Sequence, residues 1–554
     1  LRFAYHIFIL VLTTFLAGGL VPVVVAQDTE GAESNPQEGV SVAPAESTPP
    51  PEVEGGGPLY IRQIKVRGAK NLPPIEVEKA IYPYLGPGRS ESDVEKARAA
   101  LEQAYKDRGF QTVEVQVPQQ TGARGIVYLN VIERTVGRLR VKGSRYFSLE
   151  EIKRLAPSIA EGKVVNFNEV TRDIIALNQL PDRRVTPSLR AGIEPNTVDI
   201  DLDVKDTFPL HGSLELNNRN SPNTTALRLN GSISYNNFWQ KGHSAGLSFQ
   251  IAPEKVDEAK VFSAYYLARF PEVPWFSLIL QGTKQDSNVS TLGGAAVAGK
   301  GEIVGLRALI NLPPGKDFFH SLSVGLDYKN FDQLINLSTD QITAPITYFP
   351  ISASYTASWI GKNARTELNA GVTLSARGLG SDETEFSDSR FRSSGSFIYF
   401  RGDVSHTRDF LDGWQAFGKL QAQISNQALV SSEQFSAGGV GTARGYLESE
   451  VAGDNGLFTT LELRSPNIFK VLPWLRDRGA EWRIYTYLDS GFITVRNALP
   501  GQESRNELAS FGIGTSVQFT ENYSGSIDVA FPLISQGESK ARSANINFRL
   551  WADF

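Results

Sequence analysis

From about residue 210 to the end of the chain, apolar and polar residues alternate with a period of two. Over 322–329, Leu322, Val324, Leu326 and Tyr328 share one face, and Ser323, Gly325, Asp327 and Lys329 share the other. Over 225–235, Leu227, Leu229, Ile233 and Tyr235 oppose Arg228, Asn230, Ser232 and Ser234. Over 508–519, Phe511, Ile513, Val517 and Phe519 oppose Gly512, Gly514, Ser516 and Gln518. Successive side chains of a strand point to opposite faces, so each run predicts a strand with one apolar face. About sixteen such segments of roughly ten residues match the length of a membrane-spanning strand. Alternation alone fits a soluble sandwich equally well, and the connections decide. Every second one is short: NNFWQKG, FPEVP, LPPGKD, IGKN, FLDG and TENY, with IFKVLPWLRDRG as a longer exception. Those between them are mostly longer and polar, such as SNVSTLGGAAVAG, LINLSTDQITAP and GLGSDETEFSDSRFRSSG. That asymmetry belongs to a transmembrane β-barrel, with short turns on one side and long loops on the other. Phe238, Trp239, Phe270, Trp275, Phe410 and Trp414 fall at strand ends, where an aromatic girdle would sit.

Before residue 210 the pattern differs. YIRQIKVRG reads as a strand, PPIEVEKAIYPYL and SESDVEKARAALEQAYKDRGF as helices, and QTVEVQV and GIVYLNVIE as strands. Ser90, three residues before Asp93, caps the second helix, which ends near Gly109. The order then repeats: GRLRVKG is a strand, SLEEIKRLA and NFNEVTRDIIALNQL are helices, and RRVTPSLRAG and TVDIDLDVKD are strands. Two copies of one α+β unit, at 59–134 and 135–208, make an internal repeat. They read either as generic modules or as peptide-binding domains that add a strand at an exposed edge.

The N-terminus opens with Arg2, runs through an apolar stretch and reaches small residues at Val24-Val25-Ala26. That pattern predicts a secretory signal peptide over 1–26, and Gly18, Gly19 and Pro22 weigh against a retained membrane anchor. Residues 27–58 are rich in Pro, Gly, Glu and Ser without apolar periodicity, which predicts a disordered linker. Pro49–Pro51 argue against a long helix there.

Composition narrows the chemistry. A net charge of -5 offers no electrostatic case for nucleic acid. There is no cysteine, hence no disulfide or thiolate site, and the five histidines have no metal-ligand spacing. No catalytic triad or carboxylate pair stands out, so an enzyme, a metal site and a cofactor site are not expected. GAAVAGKG (294–301) falls short of a phosphate loop because Gly301 stands where Ser or Thr must hold magnesium. GGVGTARG lies between strands, not between a strand and a helix as a dinucleotide loop must. At the C-terminus, ANINFRLWADF places Ile546, Phe548, Leu550, Ala552 and Phe554 on one face.

Two α+β modules before about sixteen antiparallel strands resemble the BamA/TamA superfamily, in which the modules are POTRA domains and the barrel here spans 209–554. Two modules are similar to the two-partner-secretion (TpsB) group of type V, haemolysin-activator-like transporters. VPQQTGARGIVYLNVIE, LNQLPDRRVTPSLRAGIEPNTVDIDLDVKD and SLELNNRNSPNTTALRLNGSISYNNFWQKGHSAGLSF carry the resemblance. Its most specific motif is Ala443-Arg444-Gly445-Tyr446, between the eleventh and twelfth strands, with Ala443 where the family usually has Val or Ile. The resemblance implies that this outer loop folds back into the lumen and that Arg444 pairs with an acid on the inner wall. With apolar residues facing lipid, Asp489 in EWRIYTYLDSGF and Glu462 in LFTTLELRSP face inward, and both are candidates. YLDSG, which ends at Gly491, resembles the family's inner-wall motif, and Phe554 its C-terminal sorting signal. The resemblance further implies a monomer in the outer membrane of a Gram-negative-type bacterium, with its POTRA domains in the periplasm. It would be inserted by the barrel-assembly machinery and surrounded by outer-membrane lipid. It would secrete a partner exoprotein, commonly β-helical, without cofactor or nucleic acid. Two alternatives stand beside this: an insertase that assembles other barrels, and a passive porin.

Overall fold

The computed structural model describes residues 59–120, 123–290, 296–337, 340–471 and 480–554; the expected signal peptide and linker lie outside them. In the first module, the strand Gln63–Arg67 runs parallel to Ile126–Ile132, which pairs antiparallel with Glu114–Gln116. Helices Pro74–Ile81 and Glu91–Asp107 cover this sheet. The second helix starts where a capping box forms, Ser90 with Asp93, and it buries Val94, Ala97, Leu101 and Tyr105. These lie three and four residues apart, which puts them on one helix face. The expected single strand YIRQIKVRG is broken at Arg62, whose N–H turns to the Gly125 carbonyl. Its first part, Leu59–Ile61, pairs instead with Gly86–Arg89. The second module repeats the order. Thr135–Lys142 runs parallel to Thr197–Asp206, which pairs with the edge strand Arg183–Ala191 under helices Leu149–Arg154 and Phe167–Leu177. The modules meet where the Phe167 N–H bonds the Gly109 carbonyl at 2.9 Å.

The chain then closes into a sixteen-stranded antiparallel barrel. The first strand is Leu210–Asn217 and the sixteenth Asn545–Asp553. The seventh, Phe318–Leu337, pairs with both pieces of the eighth, Asp340–Tyr348 and Ile351–Ile360. The step between the pieces falls at Phe349-Pro350, because proline has no N–H for the ladder. Alternation works as expected. Leu326 and Ile513 are about half exposed, on the outer surface, while Asp327 is buried on the inside against Arg307, 2.6 Å away.

Short turns face the modules. Residues 239–242 and 270–275 carry the contacts of the second module: the Ser148 N–H bonds the Gln240 Oε1 at 2.9 Å, and Arg154 pairs with Glu272 at 3.0 Å. Asp182 of that module accepts from Asn236 at 3.0 Å and lies 2.6 Å from the His211 Nε2 on the first strand. On the far side the long loops hold two surprises. The stretch LINLSTDQITAP, expected as a polar loop, continues the ladder from Gln333↔Ala344 to Leu337↔Asp340. Ile and Thr favour strand, so the polar residues between them do not mark where pairing stops. GLGSDETEFSDSRFRSSG contains a short helix, Glu383–Ser389, with an Asp382/Glu385 capping box, and it buries Phe386.

The first and last strands pair at five registered positions, Arg549↔Asn217 to Asp553↔Ser213. Neighbouring strand pairs hold eight, as the first does with the second and the fifteenth with the sixteenth. Two additions lengthen this seam. Gly212 and Phe554 exchange backbone hydrogen bonds of 2.7 and 2.9 Å. Beyond Asn217, the side-chain amide of Asn218 donates to the Ile546 carbonyl and accepts from the Phe548 N–H, as a further peptide group would.

One polar anchor of the first module is pH-sensitive. Glu133 accepts from the backbone N–H of Lys70 and Asn71 at 2.8 and 2.9 Å and from the Tyr105 hydroxyl at 2.8 Å. Burial alone would raise its pKa, but the Asn71 and Lys70 amides and the Tyr105 hydroxyl outweigh it and hold the carboxyl below its ordinary 4.5. A lowered carboxyl pKa stabilises the fold above about pH 4.5, and that stabilisation is lost as pH falls through the folded value. We predict that Glu133→Gln speeds amide hydrogen exchange at Lys70 and Asn71 about tenfold at neutral pH and removes the acid step expected of the parent. Unchanged exchange at those two amides would show that the carboxylate does not hold this corner.

Candidate functional site

The loop between the eleventh strand, Trp414–Ser425, and the twelfth, Asn455–Arg464, folds into the lumen. It makes its own two-stranded ladder, Phe435–Ala437 against Val451–Gly453. Gly438 and Gly439 turn its tip with φ of 110° and 81°, where a side chain would strain the backbone. A Cβ on either would also collide, with the Leu447 carbonyl or the Glu448 carboxylate. Phe435, Ala437, Ala443, Tyr446 and Val451 of the loop form one buried cluster with Phe458, Ile493 and Leu508 of the wall.

Arg444 ends in this cluster, 5 % exposed. Its Nε and Nη2 donate to the two carboxylate oxygens of Asp489 at 2.8 and 2.9 Å, and its backbone N–H adds a third bond at 3.1 Å. Its Nη1 donates to the Glu462 Oε1 at 2.6 Å. The two candidates are therefore joint partners. Asp489 sits on the thirteenth strand, Glu481–Thr494, and Glu462 opposite Tyr487 on the twelfth. The guanidinium also stacks over Tyr487, 3.4 Å from the ring centre, and Asp528 stands 4.0 Å away. A bidentate pair fixes both distance and plane, which a point charge would not. The rest of the motif packs around it. Ala443 is fully buried. Gly445 passes the wall with φ of 92° beside Ala530 and Pro532. The Tyr446 hydroxyl donates to the carbonyl of Ala509 or Ile534, 2.9 and 2.8 Å away. Gly491 leaves room for the buried Phe458 ring, which any Cβ there would strike. Phe554 is remote from this cluster, at the seam, with its ring against Gly212 on the outer surface.

The loop has anchors that sequence reasoning missed. Glu433, 1 % exposed, accepts at Oε1 from the Lys329 Nζ and the Tyr348 hydroxyl, both at 2.5 Å, and at Oε2 from the Tyr399 hydroxyl at 2.7 Å. Asp454, at the loop's end, accepts from the N–H groups of Leu429 and Arg496, both at 2.6 Å. Glu450 binds Ser539 through its N–H and hydroxyl at 2.8 and 2.6 Å. A signal existed for the first of these: alternation puts Lys329 on the inward face, and Glu433 is an isolated charge in QALVSSEQF.

Of the stretch 294–301, Gly294 and Ala295 lie outside the described residues. Gly301 lies within the sixth strand, Ala296–Asn311, opposite Phe331, and the loop glycines turn the chain inward. The arrangement offers charges that hold a loop in place.

Residues 196–517 match the family described as haemolysin secretion/activation protein ShlB/FhaC/HecB, and residues 59–133 match the POTRA domain of ShlB type. The outer membrane transporter CdiB of Escherichia coli O6:K15:H31 is 24% identical over 524 residues, which cover 89% of this chain and 82% of that protein. The solved structure of CdiB from Escherichia coli is 20% identical, with a TM-score of 0.65 over 92% of this chain and 93% of that one. BamA from Haemophilus ducreyi lacking POTRA domains 1-3 is 16% identical, with a TM-score of 0.55 over 90% of this chain and 100% of that one.

Removing the arginine leaves the buried Asp489 carboxylate without its cation, a loss of about 3–5 kcal/mol for a broken buried pair. We predict that in Arg444→Ala the loop becomes open to protease added outside intact cells, while the barrel keeps its heat-modifiable migration on gels. Asp489→Asn should act in the same direction. A loop equally protected in both variants would mean that packing alone holds it.

Proposed function

The chain belongs to the haemolysin secretion/activation family, and from that premise we propose that it secretes an unfolded partner protein through its barrel, in two-partner secretion. It is an outer-membrane transporter with its POTRA domain in the periplasm, and not an enzyme. The observation that carries the finer reading is the loop: charges, glycines and a buried motif plug a lumen that a polypeptide would need. An extended chain fits a barrel of this size only when the loop vacates it. Folding of the partner outside would supply the direction, with no nucleotide involved.

The second module supports the first step, capture. Between its helix Phe167–Leu177 and its edge strand Arg183–Ala191 lies an apolar groove of about 190 Å³, lined by Ile159, Phe167, Ile174, Ile175, Pro187 and Leu189. An extended segment can add to such an edge through backbone hydrogen bonds and place alternate side chains in the groove. A passive porin has no use for such modules. The second reading is an insertase, which needs a readily opened seam, and the five registered positions between first and last strands give it one observation. Depletion separates the two, since loss of one secreted protein supports secretion and broad loss of barrel proteins supports assembly.

Two outcomes are expected with the partner co-expressed. Arg444→Ala should lower secretion at least about tenfold with normal outer-membrane levels, since an untethered loop lets ions past but takes no single withdrawn position that clears a path for a polypeptide. Normal secretion by correctly inserted protein would remove Arg444 from the mechanism. Ile175→Asp should weaken binding of the unfolded partner to the full-length transporter about tenfold, by placing a charge in an apolar groove. Undiminished binding would place capture elsewhere.

A further inference from the structure

The loop in the lumen is tied down twice, on different parts of the wall. Its tip is held by Arg444 on the twelfth and thirteenth strands. Its rising limb is held at residues 432–434 on the seventh, eighth, tenth and eleventh. Around Glu433 every side-chain partner is a donor: Lys329 of the seventh strand, Tyr348 of the eighth, and Tyr399 of the tenth, Phe397–Phe410. The Glu433 backbone carbonyl accepts from the Arg401 Nη2 at 3.0 Å and the Gln423 Nε2 at 3.2 Å, and Arg401 reaches the Gln434 carbonyl at 3.1 Å. Packing alone would be served by an uncharged side chain. A fully buried carboxylate survives only where its charge is met, and here one ammonium and two hydroxyls meet it. Among the described residues the two anchors share no partner, and their charges are reversed: a loop cation held by wall carboxylates, a loop anion held by a wall ammonium and two hydroxyls.

We propose that Glu433 is a second latch on the loop, a positioning residue that keeps the rising limb in the lumen and must let go of Lys329 before a polypeptide can pass. This rests on the reading that the loop vacates the lumen for transport. The two latches act in series: with either one closed, the loop still obstructs part of the barrel, and full opening needs both to release. Each therefore sets its own share of the closed state's weight. The Arg444 latch and the Glu433 latch should then be energetically independent, while Glu433 and Lys329 should act as one unit.

The test is single-channel conductance of the full-length protein in planar lipid bilayers, with heat-modifiable migration confirming the fold of each variant. Glu433→Gln should raise the occupancy of the open state about tenfold, and Lys329→Gln should match it. The double variant at those two positions should open no further than either single variant, because one interaction was lost. Combining Glu433→Gln with Arg444→Ala should multiply the two effects. If Arg444→Ala opens the lumen while Glu433→Gln and Lys329→Gln do not, there is one latch and the proposal is overturned. If no variant changes the conductance, the loop does not gate the lumen, and both the latch and the transport reading beneath it fall.

Discussion

A buried guanidinium must have its donors met, and for Arg444 the partners are carboxylates of the barrel wall, around which the loop is arranged. Asp489 and Glu462 supply the partners, with Asp528 4.0 Å away. Three acids around one arginine would repel each other, and Arg464 relieves this by taking the second oxygen of Glu462 at 2.6 Å. The geometry then propagates outward. A bidentate contact to Asp489 fixes the plane of the arginine, that plane places Tyr446 under the carbonyls of Ala509 and Ile534, and the glycines before it must turn tightly enough to bring it there. The net stability of such an ion cluster is small, because desolvation offsets most of the attraction. What it supplies is a single position for a long loop that would otherwise have many.

The wall accommodates this through the same alternation that faces it to lipid. Each inward position is a chance to place a charge, a tyrosine or nothing. Phe458 lies flat because Gly491 faces it, and Phe331 because Gly301 does. Two sets of inward charges meet the loop: Lys329 and Arg401 on the seventh and tenth strands, and Glu462 and Asp489 on the twelfth and thirteenth. The loop brings Glu433 to the first set and Arg444 to the second.

The architecture was largely legible because its rules are local. Period-two alternation, short turns against long loops, and the Ser90 cap each declare themselves within a few residues. So did the inward faces of Asp489 and Glu462, which follow from parity along a strand. What escaped depends on positions far apart in sequence. Glu433 meets Lys329, Tyr348 and Tyr399 only after the barrel closes, and no spacing announces that. The break at Arg62 depends on the Gly125 carbonyl, which only the folded module supplies. The extended hairpin at 333–344 escaped for another reason: its polar residues lie among Ile and Thr, which favour strand.

The joint between the second module and the barrel has a mechanical side. The first strand leaves that module directly, and Asp182 grips it at His211 and grips its neighbour at Asn236. That same strand forms the seam, where five registered positions, the Gly212–Phe554 pair and the amide of Asn218 do the joining. A tug on the module therefore enters the barrel along its most thinly stitched edge. The aspartate divides the load between two strands before it arrives there, so the molecule has a strain relief built in at the point where cable meets socket.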